Sequence, residues 1–392
     1  MFLHYSELTR FCPAGTVSHM ARRIFEQHFR NSTQCNLIYS LCLHANPWHK
    51  IILACIILIS APLIIFVSRH SVSLPPQTSD TDWGKQGILF PLSGTLDYVQ
   101  DTQLVWQAPS SPKAVLFIAH GCHGSATHFW DKSHNCAECI GLPEERVIVM
   151  NALSRDYAVI AISSTRECWN LATDKDKVLS TLSHWIKERG YSELPVLALG
   201  ASSGGYFISA LAKAYKFNAI VIMISEGFFQ IMEVDEHYPS TLFVHMVKDK
   251  RRASLIKDAM EALRTKGVNA SEVKCYPLAV TPHYFTKIPG LDALTSEKAH
   301  QALKDAGVLD KDNYMMADGR SMNWMVPLRW RHVLPEDHYN LWDMHMRELL
   351  NLAFGYHEMT SIPSKKIFDW LDRHLYISKA VDMADSDRTN PP

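Results

Sequence analysis

Residues 194–208 read Leu194-Pro-Val-Leu-Ala-Leu-Gly200-Ala-Ser202-Ser-Gly204-Gly-Tyr-Phe-Ile208. The apolar run Val196 to Leu199 meets small residues, and a helical pattern of Phe207, Ile208, Leu211 and Tyr215 follows. A buried strand entering a helix through Gly-x-Ser-x-Gly turns so sharply that the serine hydroxyl is lifted clear of the sheet. Such a turn accepts only small residues two places before and after the serine, and Gly200 and Gly204 fill those places around Ser202. The next backbone N–H, from Ser203, then lies where an oxyanion would develop. Ser203 has Ala201 and Gly205 at the same offsets, so a second register exists. Glycine takes strained backbone more readily than alanine, which favours Ser202. A glycine-rich turn without chemistry shares the pattern, so the rest of the chain decides.

Working outward, apolar runs alternate with helical patterns, the arrangement of a mostly parallel sheet with helices on both faces. The strand candidates are Gln103–Trp106, Ala114–Ala119, Tyr157–Ser163, Val196–Leu199, Ala219–Ile224, Thr241–Met246 and Glu272–Pro277. Helical stretches are expected at about 142–154, 174–189, 203–215 and 252–266, with a last one at about 363–375. Ser202 stands at the end of a central strand, where open α/β sheets bind ligands.

Upstream of this domain lies Ile51 to Ser68, without a charged residue and bracketed by Lys50 and Arg69. An uncharged run of that length crosses a bilayer core, and its distance from the N-terminus argues against a cleaved signal peptide. The segment 1–50 carries five basic residues (Arg10, Arg22, Arg23, Arg30, Lys50) against Glu7 and Glu26. A short basic amphipathic helix fits around Met20 to Phe29. The basic excess favours a cytoplasmic N-terminus and a lumenal or extracellular domain, an orientation in which the sequon Asn269-Ala-Ser271 is usable. The expected organisation is a segment 1–50, a single membrane span 51–68, a linker 69–95, a domain 96–376 and a polar tail 377–392. A formal net charge of −1 gives no general attraction for nucleic acid.

Three further features accompany the serine. The apolar stretch from Val115 ends in His120-Gly121-Cys122. The stretch Thr241 to Met246 is followed within a few residues by Asp249, with Glu226 after the preceding strand as the runner-up acid. Two late histidines compete: His283, soon after the last strand, and His357, just ahead of the final helix. Choosing His357 makes 284–356 an insert or lid, with helical patterns at Ser296–Ala306 and His338–Ala353.

The ordered set of His120-Gly121, Ser202, Asp249 and a late histidine resembles the α/β-hydrolase superfamily over 95–376. More narrowly, Ala119-His-Gly-Cys122, Phe129-Trp-Asp131, Cys136 to Glu145 and the segment around His357-Glu-Met-Thr look like a little-characterised group of membrane-anchored α/β-hydrolase-like proteins of photosynthetic organisms. The resemblance implies an α/β-hydrolase fold and favours His357 over His283, but implies no particular substrate. The roles it suggests are Ser202 as nucleophile, His357 as base and Asp249 as the acid that orients the imidazole. The backbone N–H groups of Cys122 and Ser203 would form the oxyanion hole. This describes a serine hydrolase of an ester, thioester or amide on a small or lipid-like acyl substrate, with no organic cofactor.

The loop 120–139 carries a rival signal. His128, His134 and the Cys136-x-x-Cys139 pair have the spacing of half a zinc site. A disulfide or redox pair, or unbonded thiols, fit the same spacing. The expectation is no metal, with a zinc-dependent or zinc-stabilised domain and a non-catalytic binding module as alternatives. Five cysteines follow residue 68, so at least one is left over in an oxidising compartment.

Overall fold

The computed structural model describes residues 92–334 and 339–375. The segment 1–50, the uncharged stretch 51–68, the linker as far as 91 and the tail 377–392 lie outside the described residues, and so do the expectations placed on them.

Eight strands form one sheet: β1 (Thr95–Val99), β2 (Thr102–Gln107), β3 (Ala114–Ala119), β4 (Tyr157–Ile162), β5 (Val196–Ala201), β6 (Ala219–Met223), β7 (Ser240–Met246) and β8 (Ala270–Cys275). Their spatial order is β1-β2-β4-β3-β5-β6-β7-β8. The first two pairings, β1 with β2 and β2 with β4, are antiparallel, and all others are parallel. β3 to β6 are buried along their whole length, which is why they read as continuous apolar runs. β1, which lies outside the strand candidates, is the half-exposed edge strand to which the linker leads. It turns into β2 through Gln100 and Asp101, both at positive φ, the backbone a two-residue hairpin needs to follow the strand twist.

The helices are α1 (Pro143–Leu153), α2 (Leu171–Glu188), α3 (Ser203–Leu211), α4 (Lys250–Thr265), α5 (Ala293–Asp305), α6 (Met325–Trp330), α7 (Tyr339–Phe354) and α8 (364–375). Two cores result, one on each face of the sheet. Leu116, Ile118 and Leu199 point to the side of α1, α5, α7 and α8. Val115, Phe117 and Ala198 point to the side of α2, α3 and α4. Residues 284–354 contribute Phe285, Leu303, Leu328 and Leu350 to the first core, so they pack as part of the domain. Among the described residues no helix is long and apolar enough to cross a membrane.

The segment between β8 and His357 leaves and returns at one place, and that return positions His357. Beyond β8, the Leu278 N–H donates to the Ala353 carbonyl at 2.9 Å, near the end of α7. Gly355 then takes φ +72° and packs so closely that an added Cβ would lie 2.9 Å from Pro277 N. Glycine in the left-handed region just past a helix end is the common stop signal. The chain therefore re-enters beside the exit of β8 with His357 two residues later.

Candidate active site

Ser202 joins β5 to α3 at φ 52° and ψ −114°, a conformation a side-chain-bearing residue rarely adopts. The Ser202 N–H donates to the Met223 carbonyl of β6 at 2.9 Å. The flanking glycines are required by space. A Cβ on Gly200 would stand 2.4 Å from the Gly204 carbonyl oxygen, and one on Gly204 2.3 Å from that of Ala119. Ser203 opens α3 with its hydroxyl buried and unpartnered, whereas the Ser202 hydroxyl lies 2.9 Å from His357 Nε2. His283 instead sits exposed ahead of a 3-10 turn (Tyr284–Lys287).

The loop after β3 runs beside this turn. An added Cβ on Gly121 would lie 3.8 Å from Ser202 Cβ, which brings the Gly121-Cys122 peptide next to the hydroxyl. His120 braces the loop from within. Its Nδ1 lies 2.6 Å from the Gly121 carbonyl, its Nε2 accepts from the Ser164 N–H at 3.0 Å, and its own carbonyl accepts from Trp169 Nε1 at 2.9 Å. An acceptor at Nε2 and a donor at Nδ1 define a neutral imidazole. Burial pushes its pKa down to about 4.

Cys122 is bonded to Cys168, across to the loop that follows β4, and Cys136 is bonded to Cys139. Cys275 is buried and free. The spacing allowed a zinc half-site at Cys136, Cys139, His128 and His134, but the disulfide removes the two thiolates. His134 is exposed. His128 is lowered to about 4 by burial and by His120 and His345. Among the described residues no group of three or more His, Cys, Asp or Glu side chains is arranged to hold a metal ion.

The acid side differs from expectation. Asp249 follows β7 and caps α4, its Oδ1 accepting from the Arg252 N–H at 2.9 Å. Its Oδ2 accepts from Arg252 Nη1 at 2.7 Å, and the same Nη1 lies 2.9 Å from His357 Nδ1. The sequence assigned Asp249 directly to the imidazole; a guanidinium nitrogen stands between them. Arg252 also donates from Nε to Glu226 at 3.0 Å, so both acids weighed in the sequence end on one arginine. Arginine was missed because its spacing three residues from Asp249 on a charged helix looks like a surface ion pair.

That geometry fixes a tautomer. A guanidinium only donates, so Nδ1 carries the lone pair and the hydrogen sits on Nε2, donated to Ser202 Oγ. The histidine is neutral, its pKa lowered to about 4 by burial, then by Arg252 and Arg320, against opposing pulls from Asp249 and Asp318. Arg320 fixes the loop from the other side, donating from Nη2 to the His357 carbonyl at 2.6 Å and to Glu358 at 2.7 Å. Deeper, Glu144 Oε2 accepts from the Ser361 N–H at 2.7 Å and from its hydroxyl at 2.9 Å.

Beside the turn lies a cavity of about 220 Å³, lined by Trp169, Leu171, Ser203, Tyr206, Phe207 and Phe228. It carries no charged side chain. For scale, an engineered apolar cavity of about 150 Å³ takes up benzene.

No protein-family model matches the chain, and no curated protein matches it in sequence. Among solved structures it is similar to a dienelactone hydrolase from Anabaena variabilis ATCC 29413, at 15% identity and a TM-score of 0.37 over 52% of this chain and 91% of that one. It is also similar to the Pyrococcus furiosus esterase Pf2001 (15% identity, TM-score 0.33, 46% of this chain and 81% of that one). A third is a hormone-sensitive lipase from a metagenome library (12% identity, TM-score 0.36, 48% and 75%).

Proposed function

We propose that the protein is a serine hydrolase that cleaves an ester, thioester or amide through an acyl-enzyme on Ser202. The observation that carries this reading is the Ser202 hydroxyl, raised on a strained turn and 2.9 Å from His357 Nε2. In the imidazole tautomer with hydrogen on Nδ1 and the Nε2 lone pair free, Ser202 Oγ attacks the acyl carbon as its proton passes to Nε2. The imidazolium so formed is stabilised by Asp249, and the N–H groups of Cys122 and Ser203 receive the oxyanion. The proton then leaves with the departing alcohol, thiol or amine, and water releases the acyl group by the same route. The uncharged aromatic cavity suits an apolar acyl chain or ring.

One observation favours a second reading, a non-catalytic binding module. Arg252 on Nδ1 keeps the hydrogen on Nε2, the nitrogen that must accept the serine proton. Labelling with a fluorophosphonate separates the two. Wild-type protein and Ser203→Ala should label, Ser202→Ala should not, and His357→Ala should label at least about 10³-fold more slowly with an unchanged melting temperature. His283→Ala should keep most of the rate. Folded wild-type protein that does not label supports the binding module.

We further propose that residues 51–68 anchor the chain in a bilayer once, with the domain lumenal or extracellular. The two disulfides support an oxidising compartment. The full chain should resist alkaline carbonate extraction; release into the wash would end the anchor proposal.

A further inference from the structure

We propose that Arg252 is a latch on His357: its Nη1 holds the imidazole in the tautomer that cannot take the serine proton, and the working Ser202–His357–Asp249 chain forms when Nη1 leaves Nδ1. The inference rests on the reading of Ser202 as a nucleophile. Arg252 is a positioning residue, acting only through the histidine.

The geometry argues for a latch over a fixed part of the machinery. Nη1 has two hydrogens, one given to Asp249 Oδ2 and the other to His357 Nδ1. When that nitrogen moves away, a carboxylate and an imidazole nitrogen face each other across the place it vacates. One proton then passes, through solvent, from Nε2 to Nδ1. The imidazole stays neutral, Nδ1–H donates to Asp249, and the Nε2 lone pair meets the serine O–H. The guanidinium keeps a second holding point in Glu226, bonded to Nε at 3.0 Å. Latched, Arg252 also makes the histidine a poor base, because a cation beside Nδ1 opposes protonation.

The charges facing His357 come from several elements. Asp249 and Arg252 stand at the start of α4, Glu226 follows β6, Asp318 and Arg320 flank and enter the 3-10 turn Gly319–Ser321, and Glu358 is the next residue of its own loop. Asp318 and Glu358 already pair with Arg320, and Glu226 with Arg252. Losing Arg252 therefore frees two acids: Asp249, which faces Nδ1 across the place Nη1 vacates, and Glu226, which had held Nε.

The test is Arg252→Met in the full chain, read by the ¹⁵N resonances of the His357 ring across pH and by fluorophosphonate labelling rates. Wild type should show neutral imidazole with Nε2–H, titrating near pH 4. In Arg252→Met the hydrogen should move to Nδ1, the titration should rise by a unit or more, and labelling at pH 7 should quicken by about tenfold or more, as expected when the competent form is the minor one. If Arg252→Met fails to fold, Arg252→Met/Glu226→Gln, which removes both members of the pair, serves the same purpose. An unmoved tautomer in the variant overturns the proposal. So does a moved tautomer with labelling no faster than that of a wild type that labels. If the tautomer moves and neither protein labels, the latch stands and the nucleophile reading of Ser202 falls.

Discussion

The turn that carries Ser202 is held by backbone against backbone, whereas the loop that carries His357 is held by charged side chains from distant parts of the chain. At the serine, Gly200, Gly204 and the Ala119 carbonyl pack so closely that no side chain fits between them. At the histidine, Arg252 and Arg320 reach in from α4 and a 3-10 turn, and Glu144 reaches up from α1. A steric device has one arrangement. An electrostatic one has several, set by which donor faces which acceptor and by pH. The contrast teaches where this site can change state: the serine turn is built rigid, and the histidine side is where tautomer and protonation are decided.

Gly204→Ala is the strongest way to break that contrast. Its new methyl carbon would stand 2.3 Å from the Ala119 carbonyl oxygen and 2.5 Å from that of His120. Both are main-chain atoms of a central strand and its loop, and they cannot move aside. The substitution should cost more than about 3 kcal/mol in urea unfolding, above the usual range for overpacking because fixed backbone atoms are what it meets. Gly190→Ala is the control. Gly190 has φ +72° with nothing within 4 Å of its would-be Cβ, so alanine meets only the left-handed backbone penalty of about 1–2 kcal/mol. Equal costs for the two would mean that space at the turn is not what demands glycine.

The same contrast explains what the sequence disclosed. Steric devices leave local patterns. Gly200-x-Ser202-x-Gly204 and the buried runs of β3 to β7 were legible because each is decided by a few consecutive residues. The histidine side leaves none. Both His283 and His357 sit at plausible distances along the chain, and the choice depends on Gly355 packing against Pro277, a contact between segments some eighty residues apart. Cys122 finds Cys168 across two loops, which spacing does not announce, whereas Cys136 and Cys139 are neighbours whose pairing was weighed from the start. Arg252 was invisible as a site residue, since only the fold shows that its outer nitrogen reaches past Asp249 to the imidazole.

Glu358 offers a smaller effect that sharpens the electrostatic side. Its carboxylate accepts from Arg320 at 2.7 Å and from Asn351 Nδ2 at 2.9 Å. Burial nonetheless outweighs these partners, and with Glu145 nearby its pKa is pushed up to about 7. A carboxyl raised on folding keeps its proton where the unfolded chain has already lost it. Its contribution to stability is therefore complete at low pH and drains away as pH rises from about 4.5 to about 7. The wild type should lose up to about 3 kcal/mol more than Glu358→Gln across that window, read as urea midpoints at half-unit steps of pH. Glu145 and Glu348 are also raised by burial, but they remain in both proteins and cancel in the comparison. Parallel curves would mean that Arg320 holds Glu358 ionised throughout. The loop behind His357 would then be fixed by a permanent ion pair, and tautomer exchange at Arg252 would be the one variable left on the histidine side.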